Sequence, residues 1–263
     1  MGSIAREGLE EEEEEQQQQQ QNFSSPPSTH AFSALLFDMD GTIIDSTAAI
    51  EQHWQQLGRE IGVSGDEILQ TSHGRRSIDV LAILAPERAN WEYVCRVEGQ
   101  IPQVFGRDPE KRAREIPGAR RLLEELEGAG APWAIVTSGT RPLVLGWLDV
   151  MGLAKPRFMV TAEEVAQGKP DPECYRKGAG LLGKKGERGM MGADDVLVLE
   201  DAPAGVRSGK AAGYTVVALA TTHDVGRLKD AGADWIVRDM RSVRFVGYDE
   251  GQVQIEIRDA LVM

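Results

Sequence analysis

Leu35-Leu36-Phe37-Asp38-Met39-Asp40-Gly41-Thr42 is the stretch from which the chain is read. Its apolar start predicts a short buried strand. The strand ends in two aspartates one residue apart, followed by Gly-Thr. Charge at the tip of a buried strand needs a partner there, such as a metal, a phosphate or water. In an open α/β sheet that tip is where ligands bind.

Working outward, residues 45–112 carry four helical patterns and no strand signal. Asp45 to Leu57 places Ile50, Trp54 and Leu57 on one face. Ser64 reads as an N-cap for Gly65 to Gln70. Arg76 to Leu84 and Asn90 to Phe105 follow, the latter with Trp91, Val94, Val97, Ile101 and Phe105 on one stripe. The opening strand needs a sheet to join, so 45–112 reads as a helical cap inserted into a core made of 32–44 and 113–263.

Beyond Ile116-Pro117-Gly118, strands and helices alternate. Strands are predicted at 132–137, 158–160, 195–199, 215–219 and 235–237, and Val253 to Ile257 reads as an edge strand. Helices are predicted at 119–129, 143–151, 173–182 and 203–212, with a loop at 183–194. This order implies a doubly wound, mainly parallel, Rossmann-like sheet covered on both faces. Asp38/Asp40, Thr137/Ser138 and Glu200/Asp201 each follow an apolar strand, so all fall on one sheet edge. The Gly168-Lys169-Pro170 turn can add a cation.

Composition limits the partners. The formal net charge is −13, and residues 1–30 hold seven glutamates against Arg6, which leaves −7 for the rest. Residues 1–31, with six consecutive Glu and six consecutive Gln, are expected to form a disordered tail. A mildly acidic body speaks against nucleic acid or an anionic membrane surface as partner. Cys95 and Cys174 have no metal-type spacing and read as reduced thiols. Without a membrane-span or signal-peptide pattern, the expectation is a cytoplasmic protein, with nuclear access open, and a monomer by default.

Four carboxylates and one lysine in one crevice repel unless a cation joins them. Hard oxygen ligands without His or Cys suit Mg²⁺. Mg²⁺ and Lys169 would neutralise a phosphate dianion, held also by the Thr137 hydroxyl and Ser138 N–H. One aspartate could then attack phosphorus while the other serves as acid and base.

Asp38-x-Asp40-Gly41-Thr42, Thr137-Ser138-Gly139, Lys169-Pro170 and Glu200-Asp201-Ala202-Pro203-Ala204-Gly205 resemble, in order, the four motifs of the haloacid dehalogenase (HAD) superfamily. The resemblance implies Asp38 as nucleophile and Asp40 as general acid/base. It also implies Asp38, the Asp40 carbonyl and Asp201 as Mg²⁺ ligands, with Glu200 a direct or water-mediated partner. Thr137, Ser138 and Lys169 would hold phosphate. Thr71-Ser72-His73-Gly74-Arg75-Arg76 and the residues around the later motifs narrow the resemblance to the fungal glycerol-3-phosphatase and 2-deoxyglucose-6-phosphatase group. That group implies a small phosphorylated sugar or polyol as substrate, with His73 and Arg76 of the cap as substrate contacts and Arg75 a weaker candidate.

Plainer readings stand beside these. Glu200-Asp201 could cap the following helix. His53 reads as packing beside Trp54, and His30 and His223 as surface. A sugar phosphomutase of the same fold is the nearest rival, but the mutases this chain resembles carry a His where Ile50 stands. A dehalogenase would not need Asp40. A non-catalytic interaction protein would not need the intact acid–lysine set.

Overall fold

The computed structural model describes residues 23–65, 68, 75–183 and 195–262. In chain order the first elements are β1 (Ser28–Phe32), β2 (Ala34–Phe37), β3 (Ile44–Asp45), α1 (Thr47–Ile61), α2 (Ser77–Leu84), α3 (Trp91–Phe105) and β4 (Arg114–Glu115). Then come α4 (Ala119–Ala129), β5 (Trp133–Val136), α5 (Arg141–Met151), β6 (Phe158–Val160), α6 (Glu173–Leu182), β7 (Val196–Glu200) and α7 (Pro203–Ala212). The chain closes with β8 (Thr215–Leu219), α8 (Val225–Asp230), β9 (Trp235–Val237), β10 (Val243–Asp249) and β11 (Gln252–Ile257).

Six strands form one parallel sheet in the order β6-β5-β2-β7-β8-β9. β2 lies inside it, and all four of its residues are buried. Alternation sends its side chains to opposite faces. Leu35 and Phe37 join one cluster with Leu122 and Leu126 of α4 and Trp147 of α5. Leu36 joins the other, with Tyr175 of α6, Val206 of α7 and Leu228 of α8. Each fully buried Leu or Phe contributes roughly 1.5–3 kcal/mol, so these strands are anchored from both sides.

The chain leaves the core at β3 and returns at β4, and these two short strands pair antiparallel. Between them α1, α2 and α3 pack around Trp54, Leu57, Ile68, Val80, Leu81 and Val94, a core of their own. Asn90 caps α3, its side-chain oxygen accepting the Tyr93 N–H at 2.9 Å. The helix expected over 65–70 lies largely outside the described residues, as does most of the 183–194 loop.

Two expectations are corrected. Residues 23–31, assigned by composition to a disordered tail, are partly built into the fold. Phe23 is buried and bridges to Leu261, and β1 pairs antiparallel with β11 from Ser28–Ile257 to Phe32–Val253. The Glu/Gln run masked the apolar content that follows it. Nor is Val253–Ile257 an edge strand: β11 is the middle of a separate antiparallel sheet, β1-β11-β10. Its Val253, Ile255 and Ile257 are buried against the core, and long-range pairing of this kind leaves no local trace in sequence.

Truncation separates these segments. Removing residues 23–32 in addition to 1–22 should lower Tm by at least about 5 °C relative to the 1–22 deletion, because Phe23, Phe32 and a sheet edge are lost. Thermal unfolding of the two truncations checks this.

Candidate active site

Parallel register brings the polar groups level. Phe37 pairs with Leu199 on one side and Ile135 on the other, so Asp38 emerges beside Glu200 and close to Thr137. The Asp38 N–H continues the ladder by donating to the Leu199 carbonyl at 2.9 Å. The chain then turns sharply: Gly41 has φ +88° and its N–H donates to the Ile44 carbonyl at 2.6 Å. A Cβ at Gly41 would overlap the Asp201 carboxylate, so the glycine is required by backbone angle and by space.

Lys169 is the centre of the charge arrangement. Its Nζ donates to Asp38 Oδ1 at 2.6 Å, to Glu200 Oε1 at 2.6 Å and to the Val136 carbonyl at 3.2 Å. It lies 5.1 Å from the Tyr175 ring centroid, and the Tyr175 hydroxyl donates to Glu200 Oε1 at 2.9 Å. Glu200 Oε2 accepts the N–H groups of Asp201 and Ala202, each at 2.9 Å. Burial works against the ammonium charge, but Asp38 and Glu200 outweigh it and hold the Lys169 pKa well above the ordinary lysine value.

The carboxylates outnumber this one lysine. Burial, opposed by Lys169, raises the Asp38 pKa well above the usual carboxylate range. Burial and the Glu200 charge push Asp201 up to about 8. Burial also raises Asp40, against the Ser46 hydroxyl that donates to its Oδ1 at 2.5 Å. Oxygens of Asp38, Glu200 and Asp201 lie within 4.8 Å of one another. Such under-compensated, all-oxygen surroundings fit a hard divalent cation. Glu200, expected as a direct or water-mediated partner, already has both oxygens engaged by four donors. That leaves Asp38 and Asp201 as the better candidates for the carboxylate ligands of such a cation. Asp201 is itself oriented by Thr42 and Thr222 hydroxyls.

Asp38, Gly41, Lys169, Glu200, Asp201 and Thr222 line one cavity of about 120 Å³ under the cap, together with Asp40, Thr137 and Ser138. Thr137 Oγ1 accepts the Gly139 N–H at 3.0 Å, which curls the loop between β5 and α5. The cap contributes Ile50, Trp54, Arg75, Ser77 and Glu98 to the far wall. Glu98 is 3% exposed, and its oxygens accept from Ser77 Oγ at 2.5 Å and from the Thr140 N–H at 2.8 Å.

The two arginines behave opposite to expectation. Arg76, expected at the substrate, has every N–H engaged: with Asp79 and with the carbonyls of Ala162, Val165 and Ala166. It fastens the cap to the core and does not line the cavity; Arg75 does. His73 lies outside the described residues. His53 and His223, read as packing and surface, both reach the cavity wall, and His223 pairs with Thr222 at 2.9 Å. His30, also read as surface, is half-buried against Trp235, ring centroids 4.6 Å apart. Tyr175, Ser46, Thr222 and Glu98 were not read from sequence. Tyr175 and Glu98 sit on the inward faces of helices, where a helical period marks burial and not chemistry.

Fold and site together define a capped α/β hydrolase with a lysine-bridged carboxylate cluster at the carboxyl edge of its sheet. The chain belongs to the haloacid dehalogenase-like hydrolase family, whose model matches residues 35–219. It is 39% identical over 235 residues to glycerol-1-phosphate phosphohydrolase 2 of Saccharomyces cerevisiae, covering 89% of this chain and 92% of that protein. It is 34% identical over 240 residues to 2-deoxyglucose-6-phosphate phosphatase 1 of the same yeast, covering 86% and 95%. Among solved structures, a HAD family hydrolase from Deinococcus radiodurans R1 with bound phosphate and sodium superposes with a TM-score of 0.56 at 27% identity, covering 80% of this chain and 92% of that one.

The cap histidine gives a pH test. Burial lowers the His53 pKa from 6.5 to about 4, and its Nε2 is buried with no hydrogen-bond partner among the described residues. The unfolded chain therefore binds the proton first as pH falls below 6.5, so the stability tied to neutral His53 is present above 6.5 and lost on the way to pH 4. Chemical denaturation at pH 7 and pH 4 should show His53→Phe losing roughly 2–4 kcal/mol less than the unaltered protein.

Proposed function

We propose that the chain is a Mg²⁺-dependent phosphatase of small sugar or polyol phosphates, acting through an aspartyl-phosphate on Asp38. The observation that carries this reading is the convergence of Asp38, Asp40, Thr137, Ser138, Lys169 and Asp201 on one cavity closed by the cap. Asp38 and Asp201, with the Asp40 carbonyl, would hold the ion. When bound, Mg²⁺ supplies the positive charge that the surplus of carboxylates lacks and that a phosphate dianion needs.

The chain's own groups account for the rest. Lys169, held by Asp38 and Glu200, offers a fixed cation to the phosphoryl oxygens. The Thr137–Ser138 loop orients the phosphate. Asp38 attacks phosphorus in line with the leaving oxygen, and the substrate P–O bond breaks. Asp40, whose raised pKa favours a held proton, donates it to the leaving alcohol. Asp40 then takes a proton from water as that water attacks the aspartyl-phosphate, releasing phosphate and restoring Asp38. The cap fastened by Arg76 keeps bulk water away from the first step.

The relatives named above act on a glycerol phosphate and a deoxyglucose phosphate, which supports a small polyhydroxy substrate. The phosphomutase alternative is not favoured, since apolar Ile50 lines the cavity where a histidine would be needed. Free Cys95 and Cys174 fit a reducing compartment such as the cytoplasm.

Asp38→Asn should abolish phosphate release, by at least about 10³-fold, with an unchanged circular dichroism spectrum. Unaltered release from that variant would rule out Asp38 as the nucleophile. EDTA should remove activity and added Mg²⁺ restore it, measured as inorganic phosphate from glycerol 3-phosphate and 2-deoxyglucose 6-phosphate.

A further inference from the structure

We infer that Glu98 is a specificity-determining residue that restricts the enzyme to phosphoesters of neutral polyols and excludes those whose alcohol portion carries a carboxylate. The inference deepens the phosphatase reading and rests on it. A glutamate that is 3% exposed on an otherwise apolar helix stripe has no part in holding phosphate or an ion. It nevertheless lines the catalytic cavity, as a residue of the cap, together with Asp38 and Lys169. It shares that cavity with Asp40, the group assigned above to protonate the leaving alcohol.

Burial raises the Glu98 pKa, and the hydrogen bonds made to its oxygens oppose that shift and favour the carboxylate. One oxygen accepts the Ser77 hydroxyl and the other the Thr140 N–H, at the N-terminus of α5, where negative charge is stabilised. An ionised carboxylate has about four acceptor sites, and two donors fill only half of them. What remains can accept hydroxyl donors from a polyol. A substrate carboxylate brought to the same place would meet a fixed, desolvated like charge, which costs far more than it would in water. Arg75 is the cation on the same cap wall, but it is exposed, so its attraction is screened. Rejection by a buried like charge is an efficient way to discriminate between ligands of similar size.

Glycerol 3-phosphate and 3-phosphoglycerate differ mainly in this respect and make the test. The unaltered enzyme should favour the former in kcat/KM by at least about tenfold. Glu98→Gln keeps the shape, because its amide oxygen can accept the Thr140 N–H while its nitrogen donates to Ser77. That variant should cut the preference at least about fivefold, chiefly through a lower KM for 3-phosphoglycerate. Glu98→Asp, which keeps the charge, should retain the preference. If Glu98→Gln slowed both substrates equally, or failed to fold while Glu98→Asp lost the preference, the residue would be a structural tie and the inference would fall. Equal use of the two substrates by the unaltered enzyme would overturn it without any variant. Phosphate release from neither substrate would remove the hydrolase reading itself, and this inference with it.

Discussion

The structure depends on one buried ammonium shared between two carboxylates. Lys169 reaches Asp38 and Glu200 at 2.6 Å each, with all three side chains almost fully shielded from water. Broken by loss of one partner, such a group leaves an uncompensated charge in a low dielectric. Intact, it fixes the end of β2 to the end of β7 and to the turn that precedes α6. Tyr175 and the backbone N–H groups of Asp201 and Ala202 complete the bonding of Glu200. Glu200 is therefore best understood as the support of the lysine. Gly205, where a Cβ would overlap the Glu200 carboxylate, gives this support the room it occupies.

Charge balance then explains the chemistry the site can host. A single lysine cannot neutralise Asp38, Asp40, Glu200 and Asp201; burial raises the pKa of all three aspartates, and neighbouring carboxylates raise Asp38 and Asp201 further. On the reading proposed above, a cation and a phosphate together would resolve the imbalance: the cation would compensate the carboxylates, and the phosphate's own charge would be met by both cation and lysine. Catalysis here asks for positioning and neutralisation more than for a strong acid or base.

The cap is tied to this centre by two polar contacts of opposite sign. Arg76 binds three core carbonyls, and Glu98 takes the Thr140 N–H at the N-terminus of α5. Each places a charged group of the cap on backbone atoms of the core, so the fit of the cap over the cavity is set by geometry that side-chain replacement in the core would not easily disturb. The remaining cap wall combines apolar Ile50 and Trp54 with a few polar groups, the character expected of a pocket that reads a small alcohol.

Sequence by itself determined the parallel α/β core, because its strands are apolar runs long enough to be buried on both faces and three of them run into polar pairs, Asp38/Asp40, Thr137/Ser138 and Glu200/Asp201. It also determined Asp38, Asp40, Thr137, Ser138, Lys169 and Asp201 as candidates, since these stand immediately after strands or in a rigid turn. Tertiary structure alone decided what lies between distant segments. It placed β1 beside β11, although composition assigned β1's residues to a disordered tail. It gave Arg76 to the core carbonyls and Arg75 to the cavity, a choice that adjacent like residues in one loop cannot reveal. It also turned Glu98 from a member of a helical stripe into a lining residue of the cavity, and Tyr175 into a partner of Glu200. The reason is common to all of these: periodicity reports which face of an element is buried, whereas the identity of the atoms it is buried against depends on how the elements close on one another.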